Sequence, residues 1–115
     1  MKSKEDLELT VLKHIITDET AMHKIVAIGI KPEHFTYVAP MQKMCYPRQI
    51  FKIATRYYED SNGSLLTHNV LTNQLQKSQI DESHKSQIEL NWQLMQDFDT
   101  DPNDLHDLLM QLKHN

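Results

Sequence analysis

Seven histidines, one cysteine and a run of aspartates are the side chains with the most chemistry to offer in this 115-residue chain. A helical metal site needs histidines three or four residues apart on one face. His14, His23, His34, His68, His84, His106 and His114 are all spaced more widely than that. Only His84 and Asp81 could meet across one turn, which is too few donors. The histidines therefore read as solvent-facing or locally hydrogen-bonded, and no metal is expected. Cys45 stands in Lys43-Met44-Cys45-Tyr46 with no CxxC partner and nothing beside it to lower its pKa. It reads as a buried or inert thiol. Asp97, Asp99, Asp101, Asp104 and Asp107 invite comparison with a calcium loop, which needs glycine at its sixth position and glutamate at its twelfth. Asn103 or Asp104 falls near the glycine position, so the run reads as an acidic turn and helix N-terminus. No catalytic residue and no cofactor emerges, and no enzyme activity is expected within these residues.

Two further patterns concern binding. Arg48, Lys52 and Arg56 step by four along one helix face, with Tyr46, Tyr57 and Tyr58 close by. Such a basic and aromatic face can hold single-stranded nucleic acid. The competing reading is a solvated face opposite Ile50, Phe51 and Ala54, with Glu59 within reach of Arg56. A net charge of −4 limits phosphate binding in either case. Near the chain end, Leu105, Leu108, Leu109 and Leu112 form an apolar stripe, preceded by Trp92, Met95 and Phe98 on another helix. Paired, these helices either close the core or present an apolar face to a partner.

The elements that must position these residues are helical. Apolar residues recur at helical spacing in at least five segments, no segment alternates with period two, and only two glycines are present. Ser3 and Asp6 resemble a capping box opening a helix from Lys4 to Ile16. Thr17 and Asp18 precede a short helix that Gly29 ends. Residues Lys31 to Tyr46 read as one-turn helices and loop. Pro47 opens a helix closed by Asn62-Gly63. Thr67 caps the next one, through Val70, Leu71 and Leu75. A polar span from Gln76 to Ser86 separates these from a helix with Ile88, Leu90, Trp92, Met95 and Phe98. Asp101-Pro102 then starts the last. The expected fold is all-α, one domain over residues 1–115. The N-terminus is followed by no long apolar run, so neither signal peptide nor membrane anchor is expected. The single cysteine fits a reducing, cytoplasmic setting.

The order of several short motifs resembles the N-terminal domain of the DnaB-type replicative helicases. The motifs are Asp6-Leu7-Glu8-Leu9-Thr10-Val11-Leu12, Ile15-Ile16-Thr17-Asp18, Lys31-Pro32-Glu33-His34-Phe35, and Tyr46-Pro47-Arg48-Gln49-Ile50-Phe51. Tyr57-Tyr58-Glu59-Asp60, Asn62-Gly63 and the stretch from Leu66 to Leu75 follow. Residues Thr36 to Cys45 are extra relative to the family pattern, and the likeness fades after Leu75. The family's P-loop motor domain is absent, so the chain is expected to be a domain of a longer helicase, with a stand-alone loader or inhibitor as the alternative. The resemblance implies a non-catalytic collar, with a globular head at about 4–75 and a helical hairpin at about 86–114. It also implies self-association and docking of a primase or helicase loader. On that reading Trp92, Met95, Leu105, Leu108, Leu109 and Leu112 form the oligomer interface, and Arg48, Lys52 and Arg56 remain candidate nucleic-acid contacts.

Overall fold

The computed structural model describes residues 3–114. Six α-helices follow in order: α1 (Lys4–Thr17), α2 (Ala21–Ile28), α3 (Tyr46–Asp60), α4 (His68–Lys77), α5 (Glu82–Met95) and α6 (Leu105–His114). One-turn 3-10 helices at Pro32–His34 and Pro102–Asp104 punctuate the connections. There is no strand among the described residues, and the fold is all-α.

Local chemistry explains most helix ends. Ser3 Oγ accepts the Asp6 N–H at 3.1 Å, which satisfies one of the free amides at the start of α1. Gly29 takes φ +85° at the end of α2, where its N–H reaches back to the carbonyls of Ile25 and Val26. Thr67 Oγ1 accepts the Val70 N–H at the start of α4. Asn62 and Gly63 both adopt positive φ after α3. Two lysines tie helix ends across the fold. Lys113 Nζ donates to the Ile28 carbonyl at 2.6 Å, and Lys13 Nζ donates to the Gln96 carbonyl just past α5. Both place a cation at the negative end of a helix dipole.

The central element is α1, which packs against α2, α3, α5 and α6. It is buried almost all round: Leu7, Leu9, Val11, Leu12 and Ile15 supply apolar surface, and Glu8, Thr10 and His14 are buried with them. A helix with apolar residues on every side belongs in the middle of a domain. Helices α2, α3, α5 and α6 each turn a stripe toward it, and α4 packs on α5.

Two expectations are corrected here. Helices α5 and α6 do not form a separate hairpin: α5 packs on α3 and α1, whereas α6 packs on α1 and α2. The reason is that α1 offers apolar surface to both at once, so head and hairpin merge into one continuous core. The polar span also folds further than expected. Only residues 78–81 unwind, and α5 starts at Glu82, inside the polar stretch, as an exposed first turn. Its other end stops at Met95, so Phe98 lies beyond the helix, half-buried against the core.

Candidate interaction surfaces

The expected oligomer-interface residues are internal. Trp92, Met95, Leu105, Leu108, Leu109 and Leu112 are all buried, none more than 6% exposed, and all belong to this chain's own core. Their apolar faces are satisfied by α1, α2 and α3, so they present nothing to a partner. The apolar side chains that do reach the surface are others: Leu90 and Leu94 on α5, Val38 and Met41 on the extra segment, Val26 on α2 and Met110 on α6.

The extra segment is fastened from α1 by a carboxylate. Glu8 is fully buried on α1. Its Oε2 accepts the N–H groups of Thr36 and Tyr37, each at 3.0 Å. Its Oε1 also accepts from Tyr37 and lies 3.8 Å from the Cys45 Sγ, which donates to it. One carboxylate therefore clasps both ends of the Thr36–Cys45 segment. Arg48 secures the residue before it, donating from Nε to the Phe35 carbonyl at 2.9 Å, and the Phe35 ring packs on Phe51 with centroids 4.6 Å apart. Burial pushes the Glu8 pKa above its usual value of 4.5, opposed by the two backbone N–H groups. Burial likewise pushes the Cys45 thiol up to about 11. A thiol in that state is not a nucleophile at neutral pH.

Held this way, the segment lies beside the outer face of α5. Tyr37, Ala39 and Met44 from the segment and Leu90 and Leu94 from α5 line a shallow hollow of about 100 Å³, with Glu5 at its rim. Met41 is fully exposed near the turn closed by the Gln42 N–H on the Ala39 carbonyl.

The basic stripe is divided. Arg48 is engaged with Phe35, while Lys52 and Arg56 line a groove of about 460 Å³ with Gln49, Tyr57, Gln74 and Ile80. Glu59 lines the same groove, and no ion pair joins it to Arg56 among the described residues. Tyr46 is buried, its hydroxyl 2.8 Å from His84 Nδ1, and Tyr58 packs against Gly63. Of the expected basic and aromatic face, only Lys52, Arg56 and Tyr57 come together.

The histidines divide as well. His34 Nδ1 accepts the Lys31 N–H, His84 meets Tyr46 rather than Asp81, and His68 pairs with Glu89 at 2.6 Å while stacking on Trp92. His14 departs from the expectation: it is 1% exposed and neither ring nitrogen has a hydrogen-bond partner. Burial holds its pKa below 6.5, against the pull of Asp18, Asp104 and Asp101. A depressed histidine pKa means the unfolded chain binds the proton more readily, so this group's contribution to stability is present above pH 6.5 and is lost as pH falls through the folded value. Glu8, with its raised pKa, contributes the opposite slope: stability declines as pH rises from 4.5 through its folded value. Comparison of variants separates the two. His14→Leu replaces an unsatisfied ring with an apolar side chain, so it is expected to raise the unfolding free energy by about 1–2 kcal/mol. It should also remove the loss of stability below pH 6.5, read from urea unfolding at pH values on either side. An unchanged pH slope would contradict the assignment.

Among the described residues, no three histidine, cysteine, aspartate or glutamate side chains are placed to hold a metal ion, and no helix is long and apolar enough to cross a membrane. Comparison of the chain with protein-family models, with curated proteins and with solved structures gives no match.

Proposed function

We propose that this chain is a non-catalytic assembly and docking domain of the kind that DnaB-type replicative helicases carry at their N-terminus. In this role it associates with copies of itself and brings a primase or helicase loader to the ring. The observation that carries the reading is the exposed apolar pair Leu90 and Leu94 on α5, which lines one hollow with Tyr37, Ala39 and Met44 of the clasped segment, a segment that also exposes Val38 and Met41. Leu90, Leu94, Val38 and Met41 are large and water-exposed, and the segment that carries the last two is pinned by a buried carboxylate rather than left loose. A surface fixed in this way loses less entropy on binding than a mobile one. The ordered motifs from Asp6 to Leu75 support the same reading.

The physical role is organisation. A self-complementary patch generates a two-fold contact, because the same residues appear on both sides. A domain tethered to a helicase ring then raises the local concentration of anything docked on it. The patch is small, so the isolated chain is expected to associate weakly, in the high-micromolar range.

The test is sedimentation velocity on the wild-type chain and on the double variant Leu90→Asp/Leu94→Asp. Both positions are exposed, so helicity should be retained. The wild type should show concentration-dependent association and the variant should remain monomeric. Association undiminished in the variant would overturn the placement of the interface. A wild-type chain that stays monomeric at high micromolar concentration would overturn self-association itself.

A further inference from the structure

The groove of about 460 Å³ between α3, α4 and the 78–81 turn shares no lining residue with the hollow beside α5, so what it binds is independent of self-association. Its size is that of a small-molecule site, since ligand pockets run from about 300 to 1,000 Å³. Lys52 and Arg56 line it one turn apart on α3. Neither takes part in an ion pair among the described residues, although the chain carries 16 acidic side chains against 12 lysines and arginines. Arg48 does not join them, being held by the Phe35 carbonyl. The rest of the lining is of a different kind. Leu75 is buried, Ile53 and Ile80 are partly buried, and Tyr57 adds a half-buried ring. Two cations on a plain helix face are a solvated surface, whereas the same pair in an apolar groove offers two kinds of contact at once.

We propose that this groove binds a nucleotide unit, with its phosphate on Lys52 and Arg56 and its base against Tyr57 and Ile80. Unpaired cations call for an anion, and the i, i+4 spacing brings both heads within reach of the same one. The guanidinium fork matches phosphate oxygens two at a time, while the ammonium supplies a point charge. A base brings the flat body that a simple anion lacks, and aromatic side chains stack bases of any identity. Gln49 and Gln74 line the groove too, and their amides carry both donors and acceptors for the polar edge of a base. An acidic peptide would meet the cations but leave the apolar lining and the amides unmatched.

Charge limits the site to one phosphate. Glu59 lines the same groove three residues past Arg56 and repels a second phosphate there. The chain as a whole carries −4, so the attraction is local and weakens as salt is added. With one phosphate engaged, log affinity for a single strand should fall against log salt with a slope of only about −0.7.

The experiment follows the backbone amide and tyrosine ring signals of the full chain by NMR at low ionic strength. Adenosine monophosphate is titrated in, with ribose phosphate, adenosine and an end-blocked tetra-aspartate peptide as comparisons and a single-stranded oligodeoxyadenylate as a second probe. Signals of Tyr57, Gln74 and Ile80 are expected to shift saturably with adenosine monophosphate. Binding should be about tenfold weaker for ribose phosphate and for adenosine, each of which lacks one half of the contact. It should also be about tenfold weaker in the double variant Lys52→Gln/Arg56→Gln, which loses the charge-assisted hydrogen bonds. Both positions are exposed, and circular dichroism checks that the variant keeps its fold. Tighter binding of the oligonucleotide than of the monophosphate assigns the site to a single strand, whereas equal or tighter binding of the monophosphate assigns it to a free nucleotide. Shifts that grow linearly without saturating, equal binding of ribose phosphate or of the aspartate peptide, or undiminished binding in the variant would overturn the proposal.

Discussion

Replacing Glu8 with alanine is expected to lower the unfolding free energy by about 3 kcal/mol, because it strips two backbone N–H groups of their acceptor inside the fold. The carboxylate is fully buried, and every group it touches is a donor: the amides of Thr36 and Tyr37 and the thiol of Cys45. Burying a charge is costly, as the raised pKa of Glu8 reflects, so the variant gains back part of that desolvation. Losing the partner of several donors outweighs the gain, since an unsatisfied buried donor costs about 1–3 kcal/mol. Some water will reach Thr36, which is exposed, and this keeps the total near the middle of the range. Glu8→Gln should fall between, because its amide oxygen still accepts while its amide nitrogen meets a donor. A second readout is chemical. In the wild type Cys45 is buried with its pKa near 11, so it should resist thiol reagents at neutral pH. In Glu8→Ala the segment is released and Cys45 should react. A variant within about 0.5 kcal/mol of wild type, with Cys45 still protected, would show that the clasp does not hold the segment.

The second large effect concerns the leucines near the C-terminus. Leu109→Asp should abolish the fold at 25 °C, seen as loss of the far-ultraviolet helical signal. Leu109 is fully buried where α6 meets the common core. Removing a buried leucine side chain alone costs about 2–5 kcal/mol, which is the expectation for Leu109→Ala. An unpaired carboxylate in that position adds several kcal/mol of desolvation. Together these approach or exceed the roughly 5–15 kcal/mol by which a domain is stable. The contrast with Leu90→Asp/Leu94→Asp is diagnostic: on the proposed interface, the same substitution at the outer face of α5 is expected to leave the fold intact and to remove association. Retained helicity in Leu109→Asp would mean that α6 is not where the core residues place it.

Helix ends were the most legible part of the fold, because their causes are local. The Ser3 hydroxyl, the Gly29 backbone, Pro47 and Thr67 each act within a few residues of their own position, and each stands at or within a residue or two of an observed boundary. The direction in which an apolar stripe faces was not legible. Helix α5 carries two stripes: Ile88, Trp92 and Met95 turn inward, and Leu90 and Leu94, one turn apart, turn outward. Periodicity detects both and ranks neither, because only the position of α1 and α3 decides. Glu8 was missed for a similar reason. Its partners lie 28 to 37 residues away, so nothing in its own neighbourhood marks it as a clasp. His14 sits on a helix buried on all sides, and its burial follows from the packing of α6 rather than from its flanking residues. Arg48 looked like one of three equivalent cations until the fold gave it the Phe35 carbonyl.

The most direct test of the proposed self-association surface is residue-resolved amide hydrogen exchange on the wild-type protein at low and at high concentration. Raising the concentration is expected to slow exchange in the segment around Tyr37, Ala39 and Met44, with α6 unchanged. The side-chain methyl signals of Leu90 and Leu94 should shift in the same samples. Protection that appears instead along α6, or at no residue at all, would contradict that surface.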